Sequence, residues 1–254
     1  MAAPMQLEPA GARGVLGPTD RPEAWRWVAT AVVGVIVGYA MALILATIGV
    51  AIAGTHGGVA AITKLAVPPV WFVVVELAGL WVGFGAAAWV VTRSGHHVGF
   101  SFRRTDIWYV FLGFALQIVV WACYLPVHAK GMSKPVTHLL GGGSGWVLVI
   151  PAVMTIVGAP VFEELFFRGV LLRAFVVLFR MRRAALGVVA AVVLDASLFG
   201  LAHLGNDSWI QLPGLVGIGV VLASLAIRTG RLGPSIMTHA SFNALAVLVF
   251  AAQR

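Results

Sequence analysis

Two adjacent carboxylates, Glu163 and Glu164, stand in the otherwise apolar run VMTIVGAPVFEELFFRGVLL of a chain that has only nine acidic residues in all. A charged side chain at the centre of a spanning helix costs roughly 2.5–3.5 kcal/mol on insertion scales, so such an acid is a functional-site candidate by default. Arg168 follows Glu164 by four residues and shares its helix face, which lets the two charges pair. Glu163 points roughly 100° away and is left without that partner. The same spacing of four recurs twice downstream, as Phe199 and His203 in SLFGLAHLG and as His239 and Asn243 in HASFN. Each pair alone is a weak signal, because an intramembrane histidine often does no more than join two helices by a hydrogen bond.

Taken together, these residues suit peptide hydrolysis, which needs a base for water, donors for the developing oxyanion and a proton for the leaving amine. Glu163 would take the proton of water, His203 would help to hold that water, and His239 and Asn243 would present donors to the carbonyl oxygen. Glu163, His203 and His239 are also ligand types that a zinc ion takes, with water in the open position. The sequence leaves both chemistries open.

The elements that must position these residues are membrane helices. With 60% hydrophobic and 10% charged residues, and a mean hydropathy of +0.98, the chain has too few charges to cover a water-soluble surface. Seven apolar segments are long enough to span a hydrocarbon layer of roughly 30 Å. They run from Trp27 to Ala53, Leu65 to Val91, Ile107 to Leu125, Trp146 to Phe179, Ala184 to Leu204, Ile210 to Ile227 and Gly233 to Ala252. The fold class is therefore an all-α polytopic bundle of seven spans, or eight if the long fourth segment breaks at Pro160. Residues 1–26 read as a cytoplasmic flexible tail without the apolar core of a signal peptide. Residues 27–145 read as leading helices and loops, with a long connector ending in LGGGSG, and residues 146–252 as the catalytic core.

Orientation follows from the basic residues in alternate connectors. One side carries thirteen, in the groups Arg13, Arg21, Arg26; Arg93, Arg103, Arg104; Arg168, Arg173, Arg180, Arg182, Arg183; and Arg228, Arg231. The other carries four, Lys64, Lys130, Lys134 and Arg254, which completes the 17 in the chain. The amino terminus is expected in the cytoplasm. Despite a pI of about 10.8, this scatter is a topology signal rather than a nucleic-acid patch, and no nucleic-acid partner is expected. With cytoplasmic boundaries near Arg173, Ala190 and Arg231, the residues Glu163, His203 and His239 all lie about 12–20 Å deep. They can share one layer, provided that the hairpin through Arg180–Arg183 projects into the cytoplasm.

The three motifs resemble a known family. EELFFR is similar to the EExxxR signature, FGLAH to FxxxH, and HASFN to HxxxN, of the CAAX-protease and bacteriocin-processing (CPBP) intramembrane endopeptidases. They occur in the family's order on separate helices, and the resemblance covers roughly Val153 to Val249. It implies an intramembrane protease with Glu163 as the water-activating residue and His203 as its assistant. His239 and Asn243 would stabilise the oxyanion, and Glu164, Arg168 and Phe199 would support. Family members are commonly labelled metalloproteases, whereas the eukaryotic CAAX-processing relatives are described as glutamate-dependent. The metal-free chemistry is the preferred expectation, with zinc as the alternative cofactor. The expected partners are the lipid bilayer and a membrane-associated protein or peptide substrate, and the expected location is the plasma membrane of a bacterium.

Some residues stand outside that pattern. Asp195, two turns before His203, is an acid where the family more often shows small or apolar residues; it would orient His203 through an intermediary or bond a neighbouring helix. Glu76 would line the cavity or pair. Cys123 reads as a packed structural thiol, and His96 and His97 as solvated in a basic connector. The tryptophans of the spans read as interface anchors or packing. Two other functions fit the same composition. A catalytically silent scaffold or immunity protein would keep the motifs for packing, and an ion-coupled transporter would use Glu76, Glu163, Asp195 and the histidines as a relay.

Overall fold

The structure is a computed structural model that describes residues 15–54, 56–65, 68–125, 145–180, 183–204 and 209–252. Its helices are α1 (Arg21–Ala53), α2 (Gly58–Ile62), α3 (Val70–Arg93), α4 (Tyr109–Tyr124, entered through a 3-10 turn at Arg104–Trp108), α5 (Val149–Leu178), α6 (Ala184–Ala202), α7 (Leu212–Thr229) and α8 (Gly233–Ala252). Among the described residues seven helices, all but the short α2, are long and apolar enough to cross a membrane when α4 is counted with its entry turn. The connector ending in LGGGSG lies outside the described residues.

The fourth segment stays whole. Within α5, π-helical turns at Met154–Gly158 and Glu164–Leu171 flank the α-helical turn Ala159–Glu163, which carries Pro160 at its start. Proline removes a backbone donor and crowds the carbonyl four residues earlier. The wider π-turn before it absorbs that conflict without ending the helix.

α1 begins six residues before Trp27. Asp20 caps it, its Oδ1 accepting from Glu23 N at 2.8 Å, with Pro22 in the first turn. Residues Val15–Leu16 pair in parallel with His96–His97, so residues 15–26 are built into the fold rather than forming a tail. His96 is correspondingly not solvated. Its Nε2 lies 3.0 Å from Glu23 Oε1 and its ring meets Trp27 edge-on.

Small residues set the closest helix crossings. In the α1–α3 pair a Cβ on Gly83 would strike Gly34 O and Gly38, and one on Gly79 would strike Ala42, so the two backbones touch. Gly113 brings α4 against Thr238 and Ser241 of α8, and Gly219 brings α7 against Ala196 of α6. Between these pairs lies an apolar core that includes Phe166, Phe167, Leu172, Phe199 and Leu222. Val33, Ile36, Phe111, Ile118, Val189 and Leu248 point outward, where lipid is the natural solvent. Cys123 points outward too, because the inner face of α4 is its polar one.

At the arginine-rich end the connectors lock together. Asp106 accepts from Arg231 Nη1 at 2.6 Å and Nη2 at 2.9 Å. Leu232 N donates to Gly99 O, and Gly233 N to Ser101 O. Arg173 Nη2 donates to Gly230 O at 3.3 Å. These contacts fix the starts of α4 and α8 and hold α5 level with the α7–α8 turn.

Candidate active site

The site is organised by one guanidinium on α5. Arg168 Nη1 donates to Glu164 Oε1 at 3.0 Å, and both side chains are fully buried. Nη2 donates to Gly219 O on α7 at 3.3 Å, which the glycine contact between α6 and α7 makes reachable. Nε lies 3.4 Å from Asp195 Oδ2 on α6, and the guanidinium sits 4.4 Å above the Phe199 ring. Asp195 therefore does not address His203; it is the second carboxylate on Arg168. Burying charge at this depth is tolerated because opposite charges face one another, although Arg168 Nε and both Asp195 oxygens make no hydrogen bond among the described residues and meet only as an ion pair.

Glu164 extends the network to α8, its Oε1 also receiving His239 Nδ1 at 3.1 Å. A carboxylate oxygen that accepts a hydrogen bond from arginine is an acceptor toward histidine too, so His239 is assigned its hydrogen on Nδ1 and turns Nε2 toward the cavity. His203 reaches the same state by another route. It is the C-cap residue of α6, and its backbone N–H turns to Gly200 O, leaving the Phe199 carbonyl without its usual helical donor. His203 Nδ1 fills that role at 2.8 Å. A carbonyl only accepts, so here too Nε2 is left for the cavity.

Both Nε2 atoms converge on the residue that lacked a partner. Glu163 Oε2 lies 3.8 Å from His203 Nε2 and 3.8 Å from His239 Nε2. It is buried and makes no hydrogen bond among the described residues. Asn243, one turn beyond His239, donates Nδ2 to Thr155 O at 2.9 Å, within the first π-turn of α5. One amide hydrogen of Asn243 is thereby used for positioning, and the other remains.

These groups face a cavity of about 1030 Å³, whose walls are mainly Leu, Val and Phe and which also reaches Thr155, Glu163, His203, His239 and Asn243. Phe199 lies at the junction, its ring 4.7 Å from that of His203 and 5.6 Å from that of His239. The structure thus brings together Glu163, Glu164, Arg168, Asp195, Phe199, His203, His239 and Asn243. Glu76 does not line this cavity and makes no ion pair among the described residues. The sequence reading passed over Gln117, Tyr124 and Thr155, which also line the cavity. Gln117, a single amide within YVFLGFALQIVVWACYL, carried a readable signal, since buried polar residues in a span seldom lack a role.

The donor chemistry of two Nε2 atoms and a carboxylate would suit zinc, but the spacing is wide. Zinc bonds of about 2.0–2.1 Å in tetrahedral geometry put neighbouring donor atoms roughly 3.3–3.4 Å apart, against 3.8 Å here. Among the described residues no group of three His, Cys, Asp or Glu side chains is placed to hold a metal ion. An oxygen at hydrogen-bond distance from two atoms 3.8 Å apart is, by contrast, ordinary geometry.

Seven helices long and apolar enough to span, around a cavity that reaches ionisable groups, define a polytopic membrane protein. Residues 145–245 match the family described as Type II CAAX prenyl endopeptidase Rce1-like, the segment that carries all three motifs. No curated protein and no solved structure gives a significant match.

Proposed function

We propose that the protein is an intramembrane endopeptidase of CAAX-protease type that hydrolyses membrane-associated protein or peptide substrates with a water activated by Glu163. The observation that carries this reading is the orphan Glu163 Oε2, set between two imidazole Nε2 atoms at the polar end of an apolar chamber. Water donates one hydrogen to Glu163 and the other to His203 Nε2, which aims its oxygen at a scissile carbonyl. As the water oxygen bonds to the carbonyl carbon, its proton passes to Glu163. The remaining N–H of Asn243 donates to the developing oxyanion, with His239, held on Nδ1 by Glu164, beside it. Glu163 then returns its proton to the leaving amine as the C–N bond breaks. No step in this sequence is routed through a metal. The relay of an ion-coupled transporter lacks support from Glu76, which stands apart from the cavity.

The test is cleavage of a fluorogenic, lipid-attached peptide library by purified protein, with wild type beside Glu163→Gln and a chelator arm. Cleavage by wild type that Glu163→Gln abolishes, with unfolding temperature unchanged and no effect of chelator, is the expected result. Loss of activity on chelation would move the water onto a metal. Absence of cleavage by folded wild type would favour the scaffold. We also assign the arginine-rich end to the cytoplasm. In a Cys123→Ala background, single cysteines at Lys64 and Arg104 should label from outside intact cells at the first position only.

A further inference from the structure

α4 lies outside the segment matched to the family, yet it supplies a row of polar side chains to the cavity. Gln117, Trp121 and Tyr124 occupy one helix face at spacings of four and three. Among the described residues of α1, α3 and α4, everything else that lines the cavity is apolar except Tyr39. Gln117 is buried, and with its carboxamide assigned so that nitrogen faces an acceptor and oxygen a donor, Nε2 donates to Phe242 O at 3.3 Å and Oε1 accepts from Trp121 Nε1 at 2.7 Å. A primary amide has two N–H donors and two acceptor lone pairs, so one of each remains. Tyr124 Oη accepts from Gly214 N at 3.1 Å, which leaves its own hydrogen to donate.

The row begins at the reacting centre, because Gln117 holds the carbonyl of Phe242, the residue before Asn243. It then runs away from the centre along α4. From 117 to 124 the helix rises about 10.5 Å, the length of about three residues of extended strand. A peptide must leave its helix to be cleaved, and its exposed N–H and C=O groups are then costly in an apolar chamber unless something pairs with them. We propose that α4 is the backbone-binding subsite of the enzyme: a substrate segment of about three residues beside the scissile bond lies extended along Gln117 and Tyr124. Gln117 pairs with one peptide unit as donor and acceptor, and the Tyr124 hydroxyl donates to a carbonyl two or three residues further on. This inference rests on the endopeptidase reading.

Ester substitution in the substrate tests it, by replacing one backbone N–H at a time with oxygen at three positions on either side of the scissile bond. In the full-length protein in lipid, one such ester should raise KM by about 3- to 10-fold, the loss of one neutral hydrogen bond. Gln117→Met, nearly isosteric, should raise KM for the all-amide peptide by a similar factor, leave kcat within about twofold, and abolish the penalty of that same ester. Tyr124→Phe should raise KM without changing which ester is penalised. A merely structural Gln117 would lower the unfolding temperature and leave every ester penalty intact, and that result overturns the proposal even though the protein remains a peptidase. If wild type cleaves no peptide at all, the endopeptidase reading fails and this inference falls with it.

Discussion

The α1–α3 pair and the α5–α8 core are both helices packed in the same apolar solvent, but they are held by opposite means. α1 and α3 meet through Gly34, Gly38, Gly79 and Gly83, backbone against backbone, with the contact made by dispersion. The core meets through Arg168, which bonds or pairs with Glu164, Asp195 and Gly219 and stacks on Phe199, while Glu164 passes the network on to His239. A glycine seam fails by degrees as atoms are added. A buried charge network fails at once when one member leaves, because the others are stranded without water.

Arg168→Leu attacks the second kind of packing and should have the largest effect. It leaves Asp195 buried without its partner and Glu164 with His239 alone, so we expect about 3–5 kcal/mol of destabilisation together with loss of peptidase activity. Thermal unfolding in detergent measures it, and an unchanged midpoint would remove Arg168 from the centre of the network. Asn243→Ala takes a donor from the site while leaving the network intact. We expect kcat to fall by roughly 10²-fold with KM little changed, whereas a rise in KM alone would reassign Asn243 to substrate binding.

Gly83→Ala attacks the first kind, since its Cβ would meet Gly34 O and Gly38. Overpacking of this sort costs about 1–3 kcal/mol and should leave kcat per folded molecule unchanged; a kcat defect would show that the seam positions the site. The smallest effect is expected from Cys123→Ala, on the outward face of α4, at no more than about 0.5 kcal/mol. In native membranes the wild-type thiol should react with a lipid-soluble maleimide and resist a charged one.

Most of the architecture was legible because apolar length decides where membrane helices lie, and α8 begins and ends where hydropathy puts it. The start of α1 was not, because Asp20, Pro22 and Glu23 form a polar helix entry that hydropathy reads as tail. The pairing of Glu164 with Arg168 followed from spacing within one helix. What spacing could not give was the partner of Asp195, since a carboxylate on α6 and a guanidinium on α5 share no register in sequence. His96 was misjudged for the same reason: its partners, Glu23 and Trp27, lie some seventy residues earlier on α1. Cys123 was misjudged because α4 is apolar on its lipid face, where a soluble protein would be polar, so hydrophobicity carried no information about direction.

The end of α6 has a consequence for how silent relatives of such a protein are to be recognised. Since the ring of His203 closes the last turn through the Phe199 carbonyl, the histidine that would hold the water is also the plug of its own helix. A descendant that had abandoned hydrolysis would still be penalised for discarding it. The FxxxH pattern therefore reports an intact helix end as much as a working enzyme. If Glu163 is the base, it is the residue free to drift once catalysis is abandoned, because its Oε2 makes no hydrogen bond among the described residues.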